Sequence, residues 1–115
     1  MSIFFNGIGE VYATFHCSDQ ELTAQNSVVS MVGSGAVGLC PSGGIPCGVA
    51  SPGRSGACRV QVGGFAQVRF SGSAPEVGYV SLAGDGKGGV MVSDLGRKML
   101  VVASDRSAHT VTVLL

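Results

Sequence analysis

The stretch Arg59-Val-Gln-Val-Gly63-Gly64-Phe65-Ala-Gln-Val-Arg-Phe70-Ser71-Gly-Ser-Ala-Pro75-Glu76-Val77-Gly-Tyr-Val-Ser-Leu82 decides the fold class. Within it, Val60 and Val62 alternate with Arg59 and Gln61, and Ala66, Val68 and Phe70 alternate with Phe65, Gln67 and Arg69. A period of two marks strands with one buried and one wet face. Gly63-Gly64 supplies a break, bulge or tight turn, and Ser71 to Pro75 supplies a loop before a third strand, Val77 to Leu82. The three strands read as a β-meander. Its outward Gln61, Gln67 and Arg69 are among the few polar groups available to specify a partner, which makes them the candidate interface.

Upstream, Val11, Ala13, Phe15 and Cys17 alternate with Tyr12, Thr14 and His16, so a first strand with an apolar inner face is expected. Ile3 to Phe5 reads as part of an N-terminal arm over residues 1–9. The polar segment Ser18 to Asn26 reads as a loop with room for one helical turn, Ser18 serving as N-cap and Glu21 completing a capping box. Ser27 to Val32 is β-branched and apolar and predicts the next strand. Between Gly33 and Gly56, glycines and prolines leave room for two brief strands, Ala36 to Cys40 and Ile45 to Ala50, followed by an exposed turn from Ser51 to Gly56.

Downstream, Gly84-Asp85-Gly86-Lys87-Gly88-Gly89 has the composition of a hairpin tip joining Val77 to Ala83 with Val90 to Val92. Ser93 to Lys98 is another turn, and Met99 to Ala103 with Thr110 to Leu115 forms a closing hairpin. Regular turns and the lack of a long amphipathic helix predict an all-β, single-domain chain over residues 1–115: a small barrel or sandwich of short antiparallel strands.

Only 12% of the 115 residues are charged, and seven basic residues cancel seven acidic ones. The basic residues are dispersed among acids, which gives no footprint for phosphate binding and argues against a nucleic-acid partner. No apolar run approaches the ~20 residues that span a bilayer, and the N-terminus lacks the pattern of a secretory signal, so a cytoplasmic origin and no membrane partner are expected. Low charge with 19 glycines and abundant valine suggests a β protein that hides apolar surface in an assembly, as a homo-oligomer or a component of a larger one. Cys17, Cys40, Cys47 and Cys58 read as reduced, buried, small hydrophobes, with a disulfide left open. Their spacing does not match the common zinc frameworks, so no metal is expected.

Gly33-Ser-Gly35-Ala-Val-Gly38 satisfies the dinucleotide fingerprint, but Leu39-Cys40-Pro41-Ser42-Gly43-Gly44 follows and cannot supply the helix that would receive a pyrophosphate. Gly84 to Gly89 resembles a phosphate loop only in glycine content, since Lys87 is followed by Gly88. His16 and His109 are the only histidines; either would need Cys58, Cys17 or an Asp beside it to make a nucleophile and base. Nothing in the spacing brings them together. No catalytic or cofactor-binding residue is assigned, and the chain is read as a non-enzyme without a cofactor.

The order of features from Val49 onward resembles the small all-β capsid cement or head-decoration proteins of tailed bacteriophages and prophages. The resemblance runs through Gly48-Val49-Ala50, a Gly-rich turn, and Val60-Gln61-Val62-Gly63-Gly64-Phe65. It continues with a small-residue loop, Val77-Gly78-Tyr79-Val80-Ser81-Leu82, the tip at Gly84 to Gly89, and Val111 to Leu115. It implies a structural virion protein on the capsid surface, made in the host bacterial cytoplasm. Its partner would be the major capsid protein, and its own assembly a trimer. Two alternatives stand beside it: a small ligand-binding β-barrel or enzyme, with polar groups near Cys58, His16 or His109 converging in a pocket, and a phage tail or baseplate component.

Overall fold

A computed structural model describes residues 9–17, 26–52 and 56–115. The N-terminal arm before Gly9, the Ser18 capping box and the tip of the turn between Pro52 and Gly56 lie outside the described residues. The chain is all-β, as expected. The strands β1 (Val11–Cys17), β2 (Ser27–Gly33), β3 (Ala36–Leu39), β4 (Gly48–Pro52) and β5 (Ala57–Gly63) close a barrel in the order β1-β3-β2-β4-β5. The strands β6 (Phe65–Arg69), β7 (Gly78–Gly84), β8 (Val90–Val92), β9 (Arg97–Asp105) and β10 (Thr110–Leu114) form a second sheet in the order β6-β10-β9-β7-β8. No helix of the described residues is long and apolar enough to cross a membrane.

One pairing departs from the antiparallel expectation. β1 runs parallel to β3, through His16 opposite Ala36 and Cys17 opposite Val37, while its other neighbour, β5, is antiparallel. The reason is arithmetic: five strands closed in a ring cannot alternate direction all the way round, so one neighbouring pair must be parallel. The shortest seam takes that role.

The core is divided by β2 and β4. Val29 and Ala50 point into the barrel, where they meet Val37, Cys58 and Val60. Val28 and Val49, one residue earlier on each strand, point the other way, into a cluster with Val68, Leu82, Met99, Val101, Val111 and Val113 of the second sheet. At Val28–Val29 and Val49–Ala50 this wall is therefore buried on both faces, whereas the far end of β2, Met31 and Val32, is exposed. The second sheet nearly closes on itself as well. Phe70, just past β6, bridges Val90 of β8, and the Ser71 N–H donates to the Val90 carbonyl at 2.8 Å.

The central stretch is not a meander. Its first strand, β5, pairs with β1 and β4 in the barrel; its second, β6, pairs with β10; its third, β7, lies between β8 and β9. Gly64 makes the difference. It is buried with φ +83°, and its carbonyl accepts the N–H of Leu115 at 2.9 Å, so the chain leaves the barrel there and joins the second sheet instead of doubling back. The loop after Phe70 then carries the chain to β7. Further along, β4 is displaced from its expected position: Ile45 is 61% exposed outside the strand, while Ser51 and Pro52, expected in a turn, pair with Arg59 and Cys58.

The cysteines divide into two kinds. Cys17 and Cys58 are joined by a disulfide from the end of β1 to the start of β5, against the expectation of reduced thiols. Antiparallel pairing of Phe15 with Cys58 and His16 with Ala57 brings their Cα atoms to 5.6 Å, within bonding geometry. Cys40 and Cys47 are free, the first buried and the second half-buried.

Candidate interaction surface

The second sheet has one dry and one open face. Ala66, Val68, Met99, Val101, Val111 and Val113 turn inward, so Phe65, Gln67, Arg69, Lys98, Leu100, Thr110, Thr112 and Leu114 turn outward. On β7, Val80 and Leu82 face the core and Tyr79 and Ser81 face out. The register then sets a single row across four strands: Phe65 opposite Leu114, Leu114 opposite Leu100, and Leu100 opposite Tyr79. Residues directly opposed on one face lie about 5 Å apart at Cβ, so these side chains form one apolar band. Tyr79 is 76% exposed at its outer end, and Leu100 and Phe65 are half-buried.

Polar groups rim the band. On one side Gln67 donates from Nε2 to Thr110 Oγ1 at 3.3 Å, and Arg69 lies opposite Thr110, which lies opposite Asp105. On the other side Ser81 lies opposite Lys98. An apolar centre inside a polar rim is the usual anatomy of a protein-binding surface. The barrel wall formed by β1 and β5 is different in kind: Thr14, His16 and Arg59 are exposed there, and the Arg59 guanidinium stacks 3.7 Å over the Tyr12 ring.

Of the three predicted interface residues, Gln67 and Arg69 lie on the open face and Gln61 does not. The expected alternation reverses at the end of β5: Gln61, expected on the wet face, is 6% exposed, whereas Val62, expected in the core, is 37% exposed. The Gln61 Nε2 donates to the carbonyls of Gly63 at 3.0 Å and Phe65 at 2.8 Å, holding the segment where the chain changes sheets. Gln61 is therefore an internal clamp. The alternating pattern was silent on Leu100 and Tyr79: Met99-Leu100-Val101-Val102 is apolar throughout, and Val77, Tyr79 and Val80 place apolar groups in both phases.

His16, His109 and Cys58 do not converge. Cys58 is bonded to Cys17 in the barrel, His16 lies on the exposed phase of β1, and His109 precedes β10 with its ring 5.6 Å from that of Phe70. Beside that ring pair, Arg106 and Glu76 line an open cleft of about 460 Å³. Among the described residues no group of three His, Cys, Asp or Glu side chains is placed to hold a metal ion. Gly33 to Gly38 closes the β2–β3 hairpin, with Gly35 at φ +67° in its turn.

The tip from Gly84 to Gly89 is built around Asp85. Its Oδ2 accepts from Ser71 Oγ at 2.6 Å, and its Oδ1 accepts from the N–H groups of Lys87 at 2.7 Å and Gly89 at 2.9 Å. Burial pushes the carboxyl pKa up, but the Ser71 hydroxyl, the two N–H groups and the Lys87 charge together bring it below the ordinary value. A lowered pKa means that the contribution to stability is full above the unfolded value of about 4 and is lost as pH falls through the folded one. Asp85→Ala is therefore expected to lower the urea midpoint near neutral pH and to lose that handicap progressively below about pH 4. Equal handicaps at about pH 7 and about pH 3, measured by urea titration, would contradict the assignment.

Compared with protein-family models, curated proteins and solved structures, the chain matches none.

Proposed function

We propose that this chain is a structural protein that stabilises a phage capsid by docking the open face of its second sheet on neighbouring major capsid subunits. The observation that carries the docking role is the row Phe65, Leu114, Leu100 and Tyr79, apolar across four strands and rimmed by Gln67, Arg69 and Lys98. The capsid as partner follows from the resemblance in the order of motifs from Val49 onward. Covering such a row contributes about 25 cal/mol per Å² of apolar surface removed from water, and the polar rim fixes orientation. The trimeric state expected from the resemblance belongs to the same proposal, as does a place on the outer surface of the virion.

The ligand-binding reading draws no support from its own named residues, because Cys58 is held in a disulfide and the two histidines stand on different sheets. The test of the capsid reading is co-sedimentation of the purified chain with capsids lacking their decoration protein. Saturable binding is expected; a chain that stays in the supernatant at every concentration overturns the reading. Arg69→Glu reverses a charge on the rim, and is expected to weaken binding about tenfold or more while changing stability by under about 1 kcal/mol. A variant that binds as the parent does returns Arg69 to a purely local role.

A further inference from the structure

We propose that β1 presents an open edge that pairs with β1 of a second copy of this chain, antiparallel and about a two-fold axis at Ala13. The inference rests on the pairing of β1 and not on the capsid reading.

β1 closes the ring only at its far end. It pairs with β5 from Val11 to His16, but its other edge meets β3 only at His16 and Cys17. β3 begins at Ala36, so among the described residues no strand runs beside Val11 to Phe15 on that edge. The hydrogen bonds fix which backbone groups are presented there. The Cys17 N–H donates to the Gly56 carbonyl, on the β5 side, at 2.7 Å, and the His16 N–H donates to the Gly35 carbonyl, on the β3 side, at 2.9 Å. Backbone groups alternate along a strand, so Ala13 and Phe15 serve β5, while Tyr12 and Thr14 aim their N–H and C=O groups at the open edge.

Natural edges are commonly blunted by charge or proline. Val11-Tyr12-Ala13-Thr14-Phe15 carries neither, and all but Ala13 are β-branched or aromatic, the residues that favour strands. Val11 is 55% exposed.

A second copy fits because this edge is complementary to itself. With Ala13 opposite Ala13, Tyr12 of each copy stands opposite Thr14 of the other, and their outward N–H and C=O groups satisfy one another. Ala13 then forms the non-hydrogen-bonded pair, in which Cα atoms approach to about 4.5 Å, and its small side chain suits that approach. Val11 of each copy lies opposite Phe15 of the other, so an exposed valine meets a half-buried ring. The pairing cannot run on. The Gly35 carbonyl already occupies the edge at His16, and Gly9, at φ +66°, turns the chain at the other end, so the contact closes as a dimer.

The test is sedimentation velocity of the full chain over a concentration series, with thermal melts of each variant. The parent is expected to dimerise reversibly. Thr14→Lys places a charge on an exposed side chain of the edge, and Thr14→Pro removes an N–H that faces away from β5; each is expected to weaken the dimer about tenfold or more. Tyr79→Ser/Leu100→Thr is expected to dimerise as the parent does. Under mild oxidation Ala13→Cys is expected to give a covalent dimer bridged between the introduced thiols, located by peptide mapping, whereas Thr14→Cys, whose copies stand out of register, is not. A parent that stays monomeric at millimolar concentration overturns the pairing, and so does a folded Thr14→Lys variant that dimerises as the parent does. Loss of the dimer in Tyr79→Ser/Leu100→Thr alone overturns it as well, by moving self-association to the open row of the second sheet.

Discussion

Gly64→Ala is expected to unfold this protein or bring it close to unfolding, with a loss of about 3 kcal/mol or more. Two costs coincide at this position. The backbone sits at φ +83°, a left-handed conformation that a residue with a Cβ adopts at a cost of about 1–2 kcal/mol. An added Cβ would also stand 2.6 Å from the backbone carbonyl of Gly9 and 2.7 Å from the amide nitrogen of Glu10, and a rigid backbone cannot yield as a side chain does. Any relief of that clash moves the point where the chain passes between sheets, which the Gln61 amide and the Leu115 N–H both hold. Circular dichroism with urea titration measures the outcome. A midpoint within experimental error of the parent would show that the passage between sheets is not fixed at Gly64.

Leu82→Ala is expected to cost about 3 kcal/mol. Leu82 is wholly buried in the cluster between the second sheet and the outer sides of β2 and β4, so truncation leaves a cavity among Val, Met and Phe side chains with no solvent route to fill it. Its neighbour Ser81 points to the open face, and Ser81→Ala is expected to change stability by under about 0.5 kcal/mol. The pair checks the facing of β7 directly. Similar urea midpoints for the two variants would mean that β7 is rotated about its axis, and that Tyr79 does not stand in the open row.

The features legible in the sequence are those fixed by neighbours along the chain. The hairpin at Ser104 to His109 is one: Asp105 Oδ1 accepts the N–H groups of Ser107 and Ala108, a purely local arrangement, and β9 and β10 follow on either side. The tip at Gly84 to Gly89 is another. The alternation of Ala66, Val68 and Phe70 also carried through to buried positions, the first two on β6 and Phe70 just past it. Partner choice did not, because pairing over long separations leaves no mark in a local window. Arg59 to Leu82 contains three strands and turn residues between them, which is also what a meander contains; the left-handed, buried Gly64 decides otherwise through contacts with Gly9 and Leu115.

The candidate surface was half legible for the same reason. Gln67 and Arg69 alternate with buried residues and stand on the open face, whereas at Gln61 and Val62 the alternation reverses, the amide turning to the Gly63 and Phe65 carbonyls where the chain changes sheets. The row itself depends on register between β6, β10, β9 and β7, which no single strand encodes. The disulfide was invisible for a related reason: Cys17 and Cys58 meet only because β1 and β5 are adjacent in a closed ring.

The central claim is that the open face of the second sheet is the surface by which this protein binds a capsid. Its most direct test is quantitative co-sedimentation of the parent and of Tyr79→Ser/Leu100→Thr with undecorated capsids, after thermal melts have established that both are folded. Removal of two apolar side chains of the row is expected to cost about 2 kcal/mol or more of binding, roughly a thirtyfold weakening, with little change in the melt. Binding of the folded double variant with the affinity of the parent would contradict the claim.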